Sequence, residues 1–161
     1  MKELNKKLIV VLIAAGILII PVLLSPLPEF DDPLSTVVEA RDGTLMGARI
    51  ASDGQWRFPA GDAVPDKFRK AILTYEDRYF YFHPGVNPVS LFRALTINIK
   101  SREIRSGGST ISMQVARLSG GNRPRTYMRK TIEIFSALKL ELVRSKKKIL
   151  ELYTANAPFG G

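Results

Sequence analysis

Residues 128–142, MRKTIEIFSALKLEL, place Met128, Ile132, Phe135, Leu138 and Leu142 three or four positions apart. That is the period of an α-helix with one apolar stripe, and it predicts the longest helix of the region beyond the N-terminal apolar run, with its stripe turned to a core. Ser145 follows and can cap a last helix through Tyr153. Upstream, a Gly-Gly-Asn-Arg-Pro loop from Gly120 breaks the chain, and Ser109 is placed to cap a helix running through Met113 and Val115. A polar, Gly-closed loop spans Ser101 to Gly108. Asn87 followed by Pro88 reads as an N-cap with Pro at the first helical position, opening a helix to about Ile99. From Asp66, the spacing of Phe68, Ile72, Tyr75 and Tyr79 predicts another helix ending near EDRYF. Residues 29–64 differ. There, TVV and LMGARI are broken by Asp42-Gly43 and Asp53-Gly54, which predicts a small sheet or hairpin. The fold class is mainly α, with a helical domain over 65–161.

A chain of 161 residues leaves room for one such domain. Lys and Arg outnumber Asp and Glu by 24 to 15, so an anionic partner is expected, and no cysteine is present to form a disulfide, a thiolate metal site or a nucleophile. No residue from Leu8 to Pro28 is charged. At about 1.5 Å per residue such a run is long enough for a hydrocarbon core of ~30 Å, and 8–28 reads as a transmembrane signal anchor. Lys2, Lys6 and Lys7 precede it and Glu29, Asp31 and Asp32 follow. The positive-inside bias keeps residues 1–7 cytoplasmic and exports the rest. The alternative is a cleaved signal peptide, against which stand the length of the apolar run and the lack of an A-x-A site. A basic domain held outside a membrane meets headgroups and lipid-linked phosphates, so no nucleic acid is expected as partner.

Glu76 and Asp77 sit side by side at a helix end, with Phe80, His83 and Gly85 just after them. The plain alternative is a surface carboxylate and a turn histidine. From Arg93 to Lys148 there are fourteen Lys or Arg but three acidic residues, Glu103, Glu133 and Glu141. Glu133 stands out in that field, and the i, i+4 rule puts Arg129 beside it. The run GGSTISMQ offers Gly freedom, the hydroxyls of Ser109 and Thr110, and backbone N–H groups at a helix start, a cradle suited to pyrophosphate. Arg93, Arg117, Arg123, Arg125, Arg129 and Lys130 add cationic donors. A capped helix and a solvated basic face are the corresponding plain readings.

In this order the segments resemble glycosyltransferase family 51, the peptidoglycan polymerase domain of class A penicillin-binding proteins. EDRYFYFHPG (Glu76 to Gly85) resembles the family's first motif, GGSTISMQ (Gly107 to Gln114) its second, RKTIE (Arg129 to Glu133) its third and KKKILELY (Lys146 to Tyr153) its fourth. DGQWRFP (Asp53 to Pro59) and APFGG (Ala157 to Gly161) look like the 1C-type subgroup. Ser112 and Met113 depart from the commoner Thr and Gln, and Thr154 and Ala155 from Leu and Asn. The resemblance implies a lysozyme-like helical fold that is processive on lipid II in the bacterial inner membrane. Glu76 matches the general base. Glu133 matches the second glutamate, which would hold cations or a divalent metal, Mg or Mn, near the pyrophosphate. Asp77, Phe80, His83, Arg93, Gly108, Ser109, Thr110, Gln114, Arg117, Arg129 and Lys130 become the expected substrate-binding set. Partners would be lipid II, the growing glycan strand, the inner membrane and other cell-wall synthesis proteins.

Two other readings compete. Paired carboxylates also serve a lysozyme-like glycan hydrolase, although uncharged glycan has no pyrophosphate to neutralise. The other is a non-catalytic fragment that binds lipid II or a partner. The family's chain continues into a fifth motif and a transpeptidase domain, so residues 1–161 alone are expected to be marginally folded and inactive on lipid II, with part of the long helix's apolar face uncovered. The charge asymmetry around 8–28 gives the first prediction: a reporter fused after Gly161 is active in the periplasm, and a cytoplasmic signal would overturn the assignment.

Overall fold

The computed structural model describes residues 2–58, 63–103, 107–121, 124 and 126–158. Helix α1 (Lys2–Leu24) is followed by strands β1 (Thr36–Glu39) and β2 (Leu45–Arg49), then by α2 (Asp66–Glu76), a 3₁₀ turn at Phe80–Phe82, α3 (Pro88–Ser101), α4 (Ile111–Ser119), α5 (Tyr127–Val143) and α6 (Lys146–Asn156). The molecule is mainly helical, as expected. Among the described residues one helix is long and apolar enough to cross a membrane; its span Lys6–Leu24 has mean hydropathy 2.9 and is only 6% buried. The helix stops at Leu24, short of the Pro28 read from the sequence, because Pro26 and Pro28 lack the N–H groups that would continue it.

The two strands form one antiparallel hairpin pairing Thr36 with Arg49 and Val38 with Gly47. Its turn is the expected Asp42-Gly43, where Asp42 Oδ1 accepts from the Thr44 N–H and Gly43 takes φ +82°. Most of its side chains are exposed. Ser35 carries the link to the next segment, donating its N–H to Arg57 O at 2.7 Å and accepting from Arg57 N–H at 3.0 Å.

The core gathers Ile72, Phe80, Ile111, Val115, Leu140, Ile149, Leu150 and Tyr153, with Leu27 and Phe30 from the segment after α1 packed against it. Short α4 is its centre and packs against both α5 and α6. Ile111, Met113 and Val115 on α4 have no exposed surface.

Sequence periodicity gave the right helices and, in two of them, the wrong face. On α5, Met128 and Leu142 are 72% and 75% exposed and Ile132 is exposed too, whereas the buried positions are Ser136, Ala137 and Leu140. The reason is close approach. Gly85 lies against the α5 backbone so tightly that a Cβ there would sit 2.7 Å from Ala137 O, and only small side chains allow it. On α2 only Ile72 is buried, and Tyr75 and Tyr79 are exposed. The caps follow the sequence at Asn87 and Ser145, which accept from the N–H groups of Ser90 and Lys148. At α4 the cap is Thr110, accepting from Met113 N–H at 3.2 Å, and not Ser109.

Gly85 combines φ +95° with that contact, whereas Gly43 has φ +82° and open space around it. Gly85→Ala is therefore expected to lower unfolding stability by about 3 kcal/mol, and Gly43→Ala by about 1 kcal/mol. Denaturant unfolding of the two variants in detergent checks this; equal losses would contradict the packing described.

Candidate active site

The site is built around the first turn of α4. Asp77 ends α2 and is buried, 7% exposed. Its carboxylate accepts from the Ile111 N–H at 3.1 Å and faces His83 Nε2 at 3.0 Å. Gly85 donates its N–H to His83 Nδ1 at 3.2 Å. That nitrogen must hold a lone pair, so the ring proton sits on Nε2 and is donated to Asp77. Thr110 Oγ1 donates to Gly85 O while accepting from Met113 N–H. The segment from Glu76 to Gly85 is thereby clamped to the start of α4.

This arrangement gives internal partners to part of the segment read as a pyrophosphate cradle. Three amides in the first turn of α4 have partners within the protein, Ile111 N–H with Asp77, Met113 N–H with the Thr110 hydroxyl and Gln114 N–H with Thr110 O. Asp77 occupies the place where a helix N-terminus would receive an external anion. Asp77, His83, Thr110 and Phe80 are buried behind the site, where they position their neighbours. Gly108 is set by packing, since a Cβ there would lie 2.9 Å from Leu91 Cα.

With Asp77 fixed, the adjacent Glu76 is turned to the second turn of α4. Its Oε2 accepts from Gln114 Nε2 at 2.9 Å. Gln114 Oε1 in turn faces Tyr153 OH at 3.4 Å and Arg117 at 3.5 Å. Burial, reinforced by the charge of Glu76, pushes the Tyr153 hydroxyl up to about 12, so it stays protonated and available to donate. From the sequence, Tyr153 is the end of a helix and of the fourth-motif segment, with no role of its own. An aromatic at a core spacing gave no sign of its polar tip.

A second cluster lies between α4 and α5. Lys130 Nζ donates to Ser109 Oγ at 2.7 Å and to Glu133 Oε2 at 2.9 Å. The i, i+4 expectation of Arg129 beside Glu133 is replaced by the i, i+3 neighbour Lys130. Glu133, Arg117 and Arg129 line a groove of about 1630 Å³ that also runs past Leu24, Phe30 and Trp56. Glu76 and Gln114 are not among its lining residues, and Arg117 joins the two clusters by reaching from the groove toward Gln114. Arg93 is exposed on α3 and does not line the groove. Arg123 and Arg125 lie outside the described residues.

Sequence reasoning also missed a partly buried ion pair behind the site. Glu141 accepts from Ser112 Oγ and from Lys146 Nζ at 2.7 Å, and Lys146 also donates to His83 O at 2.7 Å while lying 4.4 Å over the Phe80 ring. Among the described residues no group of three His, Cys, Asp or Glu could hold a metal ion. The donor set fits a divalent ion only where one carboxylate, Glu133, is joined by phosphate oxygens, an arrangement common for Mg²⁺.

A family model described as Transglycosylase matches residues 43–161. The chain is 44% identical over 137 residues to penicillin-binding protein 1C of Escherichia coli (strain K12), covering 84% of this chain and 18% of that protein. It is 42% identical over 92 residues to penicillin-binding protein 1A of the same organism, covering 57% and 11%. With penicillin-binding protein 1A/1B of Bacillus subtilis (strain 168) the identity is 31% over 146 residues, covering 88% and 16%. The chain spans less than a fifth of the length of these relatives. The first- and second-motif segments clamped together at α4, and the third-motif glutamate on α5, fall within the matched region: the chain belongs to the transglycosylase family, glycosyltransferase family 51, of the class A penicillin-binding proteins.

Proposed function

We propose that this chain carries the polymerising site of a peptidoglycan glycosyltransferase that joins lipid II units into β-1,4-linked glycan and releases undecaprenyl pyrophosphate. The observation that carries the reading is the placement of Glu76. Clamped through Asp77 to α4, it is half-buried and, among the described residues, engages a partner through Oε2, leaving Oε1 to accept a proton. As general base it would take the proton of the acceptor's GlcNAc 4-hydroxyl. The oxygen then attacks the anomeric carbon of the donor MurNAc from the face opposite the pyrophosphate, so the configuration inverts.

The leaving pyrophosphate gains charge as the bond breaks, and preorganised cations lower the barrier by meeting that charge. Lys130, Arg117 and Arg129 supply them. Lys130 is held on two sides by Ser109 and Glu133, so it needs little rearrangement to act. Glu133 is the residue that would hold Mg or Mn beside the phosphates, where the ion would add positive charge. The hydrolase alternative fits less well, because a second carboxylate committed to Lys130 is poorly placed to activate water.

For location, α1 supports a single membrane span with the N-terminus cytoplasmic and the helical domain outside. The substrate's lipid would then lie in the bilayer that α1 crosses.

Polymerisation is the assay, using the chain extended to a complete family domain and supplied with lipid II. Glu76→Gln keeps the shape and the bond to Gln114 but removes the base, and turnover is expected to fall ~10²–10⁴-fold. Glu133→Gln is expected to lower turnover with weakened pyrophosphate handling. Near-normal turnover in Glu76→Gln would overturn the role given to Glu76.

A further inference from the structure

The end of α1 leaves carbonyls in need of partners, and α5 supplies a cation to two of the carbonyls there. The last turn of a helix leaves carbonyls without i+4 amides. Here the partners of Val22 and Leu24 would be Pro26 and Pro28, which have no N–H. Ser25 covers part of the deficit, its N–H donating to Pro21 O at 2.9 Å and its hydroxyl to Val22 O at 2.8 Å. The last turn of α1 contains no basic residue. The cation comes instead from far along the chain: Lys139 on α5 donates to Leu23 O at 2.8 Å and to Ser25 O at 2.7 Å. A lysine at a helix C-terminus satisfies carbonyls and matches the negative end of the helix dipole.

Lys139 lies on the same helix as Lys130 and Glu133, less than two turns beyond Glu133. Val22 and Ser25 are buried where α1 meets α5, and Leu27 and Phe30 pack on the core. Pro21 and Leu24 share the groove with Glu133 and Arg129. The membrane helix therefore ends directly against the wall of the cationic groove. Apolar packing of Leu27 and Phe30 resists separation but allows rocking, whereas two bonds from one ammonium to the helix end fix an angle.

We propose that Lys139 is an orientation latch, holding the end of the membrane helix from α5 so that the groove lined by Arg117, Arg129 and Glu133 opens at a constant height and tilt above the bilayer. This rests on the polymerase reading, in which the substrate is held in that bilayer by its own lipid. A groove at fixed height meets a headgroup-level pyrophosphate without a search. Lys139 is a positioning residue and touches no reacting atom.

The test places a donor fluorophore on exposed residue 147 of the chain in a lipid nanodisc with acceptor-labelled headgroups, and compares wild type, Lys139→Met and Lys139→Arg. Lys139→Met is expected to broaden the distance distribution with the helical circular dichroism unchanged, and Lys139→Arg to restore it. In the extended chain used for polymerisation, Lys139→Met is expected to slow turnover of bilayer-borne lipid II about tenfold, with no change on a short-chain substrate dispersed in detergent. Superimposable distributions for wild type and Lys139→Met would overturn the latch. So would equal slowing on both substrates, which would mark a general structural loss. If the wild type made no polymer at all, the polymerase reading would fail while the distance measurement still decided the latch.

Discussion

Asp77 accepts from the first amide of α4 and from His83 in a buried position. A carboxylate there is tolerable only because its oxygens are paired and because it faces the positive end of a helix. Everything chemically distinctive in the molecule is referenced to this contact. Glu76 precedes Asp77 by one residue, Gln114 follows the capped turn by one more, and Ser109 precedes it. Through Ser109 and Lys130 the same turn fixes Glu133 on α5. The contact is thus a joint between two segments far apart in sequence, and it sets their relative position before any substrate arrives.

That joint also divides the labour between backbone and side chains. Because Asp77 takes the first amide of α4, the proposed anion site falls to side-chain cations, Arg117 and Arg129 in the groove and Lys130 beside it. Lysine and arginine ends are costly to hold still, and the structure reduces that cost by bonding Lys130 on two sides. Behind it, Lys146 and Glu141 tie α6, α5, Ser112 and the His83 loop together. A partly buried pair of this kind adds little net stability over apolar packing but is costly to break, which favours one arrangement of these four segments over near alternatives.

Much of this was legible in the sequence. Helix order, the Asp42-Gly43 turn and the caps at Asn87 and Ser145 depend on local chemistry, and local chemistry is written in neighbouring residues. The family motifs pointed to Glu76 and Glu133. What could not be read is what depends on phase and on distant partners. Periodicity cannot say that Ser136 and Ala137 face inward while Met128 and Leu142 face out, because the choice is made by the Gly85 loop. The same limit applies to His83 and Asp77, whose bond to each other and to the start of α4 was not legible in the sequence. Lys139 was not singled out in the sequence, because its partners are 114 and 116 positions away.

The central claim is that groove cations bind the anion and that the α4 N-terminus is filled by Asp77. Calorimetric titration with inorganic pyrophosphate tests it most directly, comparing wild type, Lys130→Met and Asp77→Asn at a temperature where all three remain folded. The account predicts that Lys130→Met weakens binding by about tenfold and that Asp77→Asn leaves it at or above the wild-type level. Binding that survives Lys130→Met intact and disappears in Asp77→Asn would contradict it.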